Sequence, residues 1–237
     1  MIKILSLPLL ALACAAQAPL SAQGCNAALM DVTAANTAVQ RYGHLRDGAM
    51  REEVAVMLWL QRTRTQADIA RVRFDSTPTL ECFTEELAHD PNPGLIMPHR
   101  PYRAADHPRT RALLAHARED LLPLVSALRN YYARPRPYVT YPAILPVEEK
   151  LTTPSFPSST AALGCVYAQI LSQFRPDLRE ALCEKGCQLG ADRVLAGSHY
   201  PSDVLGGEML GKAFATAWIN QPEHRQLIKE VCEAEWR

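Results

Sequence analysis

The sequence predicts an all-α fold in a single domain, and three observations lead to that expectation. Apolar residues recur at steps of three and four along much of the 237-residue chain, which is the spacing of one helix face. Alternation of apolar and polar residues, the pattern of a half-buried strand, is scarce. With 48% hydrophobic and 21% charged residues the chain can bury one substantial core, and nothing in its composition suggests a second domain.

The first segment, residues 1–22, is typical of a cleaved secretion signal. Lys3 supplies one positive charge, an apolar run follows, and small residues extend to Ala22. The apolar run is too short to span a bilayer comfortably, and no later stretch is long and uncharged enough to do so. We therefore expect residues 23–237 to be a periplasmic or secreted helical domain without a transmembrane anchor. A lipid attached at Cys14 is the minor alternative, because the preceding residues fit that signal poorly.

The next two elements are a helix and a loop. Apolar positions from Val54 to Val72 predict a first amphipathic helix. A loop rich in proline and histidine is expected from Pro78 to about His107, because the sequence Asp-Pro-Asn-Pro-Gly over 90–94 breaks any regular element.

The second half of the chain predicts four further helices. Steps of three and four from Leu114 to Tyr132 predict a long helix, which Pro123 should kink or break and residues 134–137 should end. A proline-rich loop follows. Three more helices are each expected to begin at a serine or a proline, with approximate bounds 158–173, 176–194 and 201–219.

Charge and cysteine content limit the function classes. The formal net charge is zero, so no basic field favours a nucleic-acid partner. After removal of the signal an even number of cysteines would remain, which in an oxidising compartment suggests disulfides in any of roughly 15 pairings. These cysteines are Cys25, Cys82, Cys165, Cys183, Cys187 and Cys232. A zinc site is the weaker interpretation, because no Cys-x-x-Cys pair occurs.

No metal-ligating side chains are predicted among the histidines of the helices and loops. His89, His116 and His224 lie in polar contexts, and each is expected to be a solvated side chain rather than a ligand.

Two clusters on helix boundaries could bind an anion. Arg129 and Arg136 are seven residues apart, and two helical turns superpose such positions, so both guanidiniums could reach one anion. A basic helix end that interacts with its own dipole is the common structural alternative. Ser158, Ser159 and Thr160 form a hydroxyl-rich turn that opens the helix of small residues, where unpaired N–H groups favour an anion. A simple N-cap explains the same serines, and both interpretations can hold together.

The third cluster is Arg193, His199 and Asp203, placed around a helix entrance near Tyr200 and Pro201. His199 and Asp203 are four apart, so the carboxylate can accept the ring N–H of the imidazole. Each residue alone has a structural explanation, such as a local salt bridge or a favourable acid in a first turn. The occurrence of all three clusters in order favours a site for phosphate chemistry.

This order of motifs resembles the three-part signature of the type 2 phosphatidic acid phosphatase superfamily, over residues from about 101 to 219. Within it, the chain is most similar to the exported class A non-specific acid phosphatases of bacteria, which share their core with vanadium haloperoxidases. The resemblance implies a helical bundle of that type and a phosphorylated small molecule as the substrate. The sequence leaves the oligomeric state open.

The resemblance also implies a role for each motif residue. His199 would attack the phosphorus and form a phosphohistidine, while Asp203 holds the other ring nitrogen. Backbone N–H groups at Ser158 and Ser159 would bind phosphoryl oxygens together with three arginines, so no metal or other cofactor is expected, although vanadate could act as an inhibitor or analogue. The three arginines are Arg129, Arg136 and Arg193.

Three positions depart from the family pattern. Arg129 stands where the family usually has lysine, which keeps the charge, and Asp192 stands where serine is usual. Thr160 stands where the family has the histidine that protonates the leaving oxygen. Losing a general acid typically costs about 10² to 10⁴ in rate for poor leaving groups.

Three outcomes follow from Thr160. The enzyme acts on substrates whose leaving group needs no proton, such as aryl phosphates, diphosphates or anhydrides; or another histidine, His99 or His107, donates the proton; or the protein binds phosphate or a phosphorylated ligand with little or no turnover. A vanadate-dependent peroxidase is the least favoured function, because those enzymes also depend on the histidine that is replaced here.

Overall fold

The computed structural model describes residues 30–89 and 102–236, and within them the regular structure is entirely helical, without a β-strand. The all-α prediction is confirmed. The predicted signal, Cys14, Cys25 and His99 lie outside the described residues. The α-helices are α1 (Val32–Gly43), α2 (Asp47–Thr63), α3 (Gln66–Phe74), α4 (Thr84–Ala88), α5 (Pro108–Tyr132), α6 (Pro137–Thr140), α7 (Ser159–Phe174), α8 (Arg179–Leu195), α9 (Pro201–Ile219) and α10 (Pro222–Glu235).

The centre of the fold is α7, which packs against both α8 and α9. These contacts are close because small residues face one another across them. A Cβ added at Gly164 would lie 2.4 Å from the carbonyl oxygen of Gly186, and one at Gly211 would lie 2.3 Å from that of Ala162. Only glycine allows backbones to approach so closely. This packing brings the start of α7 beside the end of α8 and the start of α9.

The end of α5 supplies the other wall of this region. Ala133 ends the helix in a left-handed conformation with a φ of 46°, and its N–H donates to the Arg129 carbonyl. The following residues then run back toward α7, where the Ser155 N–H donates to the Arg134 carbonyl at 2.8 Å. The arginines around the end of α5 therefore face the start of α7.

The prediction of one helix from Val54 to Val72 is wrong, because this segment forms two helices, α2 and α3. Thr65 begins α3 with a capping box, in which its hydroxyl accepts from the Asp68 N–H and the Asp68 carboxylate accepts from the Thr65 N–H. The reciprocal bonds stabilise a new helix start, so the apolar face continues while the backbone does not. Arg64, at the break, donates to two distant carbonyls, that of Leu145 and that of Leu195 at the end of α8.

Other differences concern the loops and ends. The expected loop from Pro78 contains a 3₁₀ turn at Leu80–Phe83 and the short α4, and α1 and α10 were not predicted. Pro123 does not break α5, which is helical from Pro108 to Tyr132. The helices predicted at 158–173, 176–194 and 201–219 are confirmed, the second as a 3₁₀ turn that leads into α8. No helix within the described residues has both the length and the apolar character to cross a membrane.

The predicted disulfide framework is not found among the described cysteines. Cys82, Cys165, Cys183, Cys187 and Cys232 are all free thiols. Cys165 and Cys187 interact across the contact of α7 with α8, and this interaction together with burial raises the pKa of the Cys165 thiol.

Candidate active site

His199 lies between α8 and α9, on a short turn whose backbone is fixed by Arg193. Gly197 permits the turn with a φ of 76°, and the N–H groups of Ser198 and His199 both donate to the Arg193 carbonyl. The His199 side chain is buried, with 4% of its surface exposed. The last turn of α8 therefore positions both the arginine and the imidazole.

The two ring nitrogens of His199 face groups of opposite charge. Nε2 lies 3.2 Å from Nη1 of Arg136, and a guanidinium can only donate, so Nε2 must be the unprotonated acceptor. In the neutral ring the proton is then on Nδ1, which faces Oδ2 of Asp203 at 3.4 Å. That distance is longer than a hydrogen bond normally spans, and Nδ1 has no closer partner among the described residues. The lone pair of the ring is thus on Nε2, where it accepts from Arg136.

Asp203 is fully buried and is held by two donors. Its carboxylate accepts from Nη1 of Arg134 at 2.7 Å and from the Tyr200 N–H at 2.9 Å. Burial by itself raises the pKa of Asp203, but His199 and Arg134 outweigh it and hold the pKa below its ordinary value. Asp203 is therefore a fixed negative charge beside the imidazole.

Sequence reasoning missed Arg134, which is the ion-pair partner of Asp203. Besides the carboxylate, its guanidinium binds the Ser202 hydroxyl at 2.8 Å and the backbone carbonyls of Tyr42 and Gly43. It also lies over the Phe156 ring, 4.5 Å from the centroid. The residue was visible as the first arginine of the Arg-Pro-Arg-Pro motif, but its spacing from Asp203 gives no local signal.

Arg136 and Arg129 line the same pocket, although Arg136 lies beyond the end of α5 and not two helical turns along it. Arg136 is 2% exposed and is oriented by the Thr153 carbonyl at 2.9 Å and the Ser198 carbonyl at 3.1 Å. Arg129 donates to the Ser159 hydroxyl at 3.2 Å. Burial, with a contribution from Arg136, lowers the pKa of Arg129 to about 10, so both guanidiniums remain charged at neutral pH.

Arg193 lies on the same pocket and contacts a carboxylate there. Its Nη1 donates to both oxygens of Glu148, at 3.2 and 3.0 Å, and its Nη2 donates to the Val72 carbonyl. The buried Nε of Arg193 has no hydrogen-bond partner among the described residues. A guanidinium with one unsatisfied donor and one exchangeable carboxylate partner is suited to bind an oxyanion.

The structure corrects the predicted role of Ser158. Its N–H donates to the Asp203 carbonyl at 2.9 Å, and its hydroxyl caps α7 by accepting from the Ala161 N–H. That amide is therefore already bonded. The first-turn amides of Ser159 and Thr160 have no acceptor within α7, and the two residues line the pocket, so these amides replace the predicted pair.

Neither Thr160 nor His107 provides an evident proton donor. The Thr160 hydroxyl donates to the Ser76 carbonyl at 3.3 Å. The His107 ring packs between Tyr102 and Trp236, at 4.7 and 4.6 Å, and is not part of the pocket. The hypothesis that His107 is the acid is therefore wrong, and His99 lies outside the described residues.

The pocket formed by these groups has a volume of about 200 Å³ and is strongly cationic. Arg118 is a fourth arginine in its wall, and sequence reasoning missed it. Arg118 and Arg129 are eleven residues apart on α5, which is close to three full turns, so their common face could have been inferred. The pocket also contains two carboxylates, Glu148 and Glu149.

Burial and the charges of the pocket together set the protonation state of His199. Burial, followed by the positive charges of Arg136 and Arg129, lowers the pKa of His199 to about 4, although Asp203 opposes the shift. The imidazole is therefore neutral at pH 7, with a lone pair on Nε2 that points toward guanidiniums. Such a site can bind a tetrahedral oxyanion and attack its central atom.

Comparisons with known proteins show which proteins this chain is similar to. The sequence profile described as PAP2 superfamily matches residues 111–227. A non-specific acid phosphatase of Salmonella typhimurium is 33% identical over 112 residues, which are 46% of this chain and 45% of that protein. A non-specific acid phosphatase of Providencia stuartii is 27% identical over 136 residues, which are 55% of each chain. The chain thus spans about half the length of the curated relatives it matches.

The fold has a solved counterpart as well. A transmembrane PAP2-type phosphatidylglycerolphosphate phosphatase from Bacillus subtilis superposes with a TM-score of 0.53 at 16% sequence identity. The superposition covers 86% of this chain and 96% of that one. At this level of identity the likeness concerns the fold.

Proposed function

Since the chain belongs to the PAP2 superfamily, close to the bacterial acid phosphatases, we propose that it hydrolyses phosphate monoesters or phosphoanhydrides through a phosphohistidine on His199. One observation carries the proposal: a neutral imidazole, with Nε2 at 3.2 Å from Arg136, faces a pocket lined by three further arginines. A nucleophile and the charges that bind its target are thereby combined.

The first step forms the phosphoenzyme. The lone pair of Nε2 attacks phosphorus while the bond from phosphorus to the leaving oxygen breaks, and that oxygen keeps the bonding electrons. The ring becomes cationic with its proton still on Nδ1, where the negative charge of Asp203 stabilises it. In the second step water attacks phosphorus, the bond to Nε2 breaks, and the two protons of the water end on the released phosphate and the alcohol.

The arginines stabilise the charge that spreads over the equatorial oxygens in both steps. Arg136 already contacts Nε2, so it can exchange that contact for a phosphoryl oxygen with little movement. The amides of Ser159 and Thr160 add donors at the positive end of α7. Arginines and amides supply all of this stabilisation, so we propose that the reaction is independent of metal ions and persists in protein treated with EDTA.

Leaving groups of low pKa are the proposed substrate preference. The position of the family's general acid is Thr160, whose hydroxyl is a very weak acid and is bonded to the Ser76 carbonyl. Aryl phosphates, diphosphates and other anhydrides depart without a proton, whereas alkyl phosphates require one. The proposed enzyme is therefore selective by leaving group rather than by binding.

The test compares p-nitrophenyl phosphate with an alkyl phosphate in four proteins: the native chain, Thr160→His, His199→Ala and the surface control His89→Ala. We expect the native chain to favour the aryl ester by about 10² to 10⁴, and Thr160→His to reduce that ratio. His199→Ala should lose both activities, while His89→Ala should retain them.

Rapid quenching in alkaline detergent during turnover provides a direct assay for the intermediate, because the P–N bond of a phosphohistidine is stable in alkali and breaks in acid. Labelled phosphate should be trapped on the native chain and not on His199→Ala. Absence of turnover of either ester by both the native chain and Thr160→His would eliminate the enzymatic proposal.

A phosphate-binding protein with little turnover is the second candidate, favoured by the contact of Glu148 with Arg193 and by the absent acid at Thr160. It predicts saturable binding of inorganic phosphate with no hydrolysis and no trapped intermediate. Binding that survives His199→Ala supports it only if the native chain is also inactive. Vanadate is expected to compete with phosphate in either case.

Export is proposed on the sequence of residues 1–22 alone. Fractionation of cells that express the full chain should place the cleaved protein outside the inner membrane. Retention of the intact segment in the cytoplasm would contradict the proposal.

A further inference from the structure

A second cluster of chemically active side chains lies where α10 packs on α5, apart from the phosphate pocket. His116 and Asp120 are one turn apart on α5, and His224 reaches them from the first turn of α10. Their ligand atoms all lie within 4.8 Å of one another. None of the three lines the phosphate pocket.

His224 is buried and oriented, contrary to the expectation that it is solvated. It is 5% exposed, and its ring stacks on Trp218 with the centroids 3.8 Å apart. Nδ1 lies 2.9 Å from the Trp218 carbonyl, which can only accept, so the ring proton is on Nδ1. The lone pair of the neutral ring is consequently on Nε2. A histidine fixed through Nδ1–H to a backbone carbonyl is the usual arrangement of a metal ligand.

Asp120 is held in a similar way. Its Oδ2 accepts from Nε1 of Trp218 at 2.8 Å, so one tryptophan orients both the carboxylate and the imidazole. Nε2 of His116 lies 3.5 Å from the same oxygen, which is too long for a hydrogen bond. The His116 ring stands edge-on to that of His224, with the centroids 5.3 Å apart. The two residues on α5 therefore face His224 without being bonded to each other.

From this arrangement we propose that His116, Asp120 and His224 bind one Zn²⁺ ion. Two imidazoles and one carboxylate form a common zinc donor set, with a water as the fourth ligand. Ligand atoms at about 2.0–2.1 Å from a tetrahedral ion are roughly 3.3 Å apart, so a cluster whose ligand atoms span up to 4.8 Å has to contract by as much as about 1.5 Å. His116 can supply that movement because 45% of its side chain is exposed, which also leaves an entry path.

The ion would connect α10 to α5. Because α10 also contacts α9, which begins beside the phosphate pocket, the site would secure α10 against the rest of the described helices. The role is structural, and it does not depend on the proposed phosphatase activity.

The test uses the whole protein, stripped with EDTA and dialysed, and titrated with Zn²⁺ by calorimetry and by thermal unfolding. We expect one bound ion per protein chain. The midpoint temperature of unfolding should rise, and the rise should grow with the Zn²⁺ concentration. His116→Ala and Asp120→Asn should each weaken binding by at least tenfold. His116 is partly exposed and the asparagine preserves an acceptor for Trp218, so both variants should fold. His89→Ala, which removes a surface histidine elsewhere, should bind as the native chain does.

Thiols are the competing ligands for Zn²⁺, and Cys187→Ser controls for them. Binding that is lost in Cys187→Ser and retained in His116→Ala would overturn the proposal. Failure to observe saturable binding in the native protein would overturn it equally. Loss in both His116→Ala and Asp120→Asn with retention in Cys187→Ser and His89→Ala would support it.

Discussion

Replacing Arg134 by methionine tests whether this residue balances the buried charge of Asp203. The two side chains are 8% and 0% exposed and their atoms are 2.7 Å apart, so Arg134→Met leaves a buried carboxylate without its cation. Breaking a buried pair on one side typically costs about 3–5 kcal/mol, because the remaining charge is uncompensated. The carbonyls of Tyr42 and Gly43 lose their donor in the same step. We expect the free energy of unfolding, from urea titration at pH 7, to fall by about 3–5 kcal/mol.

Two further variants make this prediction specific. Arg175→Met removes an arginine from an exposed pair with Asp177, with side chains 26% and 40% exposed, and should cost about 1 kcal/mol or less. Combining Arg134→Met with Asp203→Asn removes the stranded charge, so the double variant should lose about 1–3 kcal/mol less than the sum of the single losses. A loss for Arg134→Met no larger than that for Arg175→Met, or additive losses in the double variant, would refute the reasoning.

Three more predictions concern charge and packing. The pKa of His199 is about 4 in the folded protein and 6.5 for an ordinary histidine, so the unfolded chain binds more protons between these two pH values. The free energy of unfolding, measured by urea titration, should therefore fall as the pH is lowered from 6.5 toward 4. Glu148→Gln frees Arg193 and should tighten binding of inorganic phosphate about two- to fivefold by calorimetry. Gly211→Ala places a Cβ 2.3 Å from a backbone oxygen of α7 and should cost about 1–3 kcal/mol in the same unfolding assay.

Each of the three has its own control. The free energy of unfolding should depend less on pH in His199→Gln than in the native chain. Equal pH dependence in the two proteins would show that other groups cause the loss of stability. Glu149→Gln removes the same charge from the pocket wall, so an equal gain in phosphate affinity would show that the contact with Arg193 is irrelevant. Gly48→Ala adds a Cβ with no atom within 4 Å and should leave stability unchanged or raise it by about 0.5–1 kcal/mol. A similar loss in both glycine variants would contradict the packing argument.

The helices that the sequence predicted best are those whose starts are encoded locally. Ser158 caps α7, and Pro201 occupies the first position of α9, so position and type were both evident. The break at Thr65 was also encoded, by the Thr-x-x-Asp of a capping box, but the continuing apolar face obscured it. The break predicted at Pro123 does not occur, because a long helix packed along one face tolerates the loss of one hydrogen bond.

The candidate site was predictable where a motif defines it and unpredictable where long-range packing does. His199 directly precedes Tyr200, the N-cap of α9, and Asp203 lies in the first turn, so their proximity follows from the start of that helix. Arg134 and Arg136 are only two residues apart, yet one contacts Asp203 and the other His199. The direction of each depends on the left-handed residue at Ala133, which no local propensity requires of an alanine.

The pairing of Asp203 with Arg134 also explains how an imidazole beside a carboxylate remains neutral. An isolated buried carboxylate would attract a proton onto the ring and raise the pKa of His199, which removes the lone pair from Nε2. Arg134 offsets part of that negative charge, while burial, Arg136 and Arg129 lower the pKa. In the mechanism that we propose, a phosphoryl dianion among the guanidiniums would offset their effect, so the positive charge that the ring gains on attack would become favourable only when the substrate is bound. In this proposal the guanidiniums thus keep the nucleophile unprotonated before the reaction, while Asp203 and the bound phosphoryl group stabilise its cationic form during it.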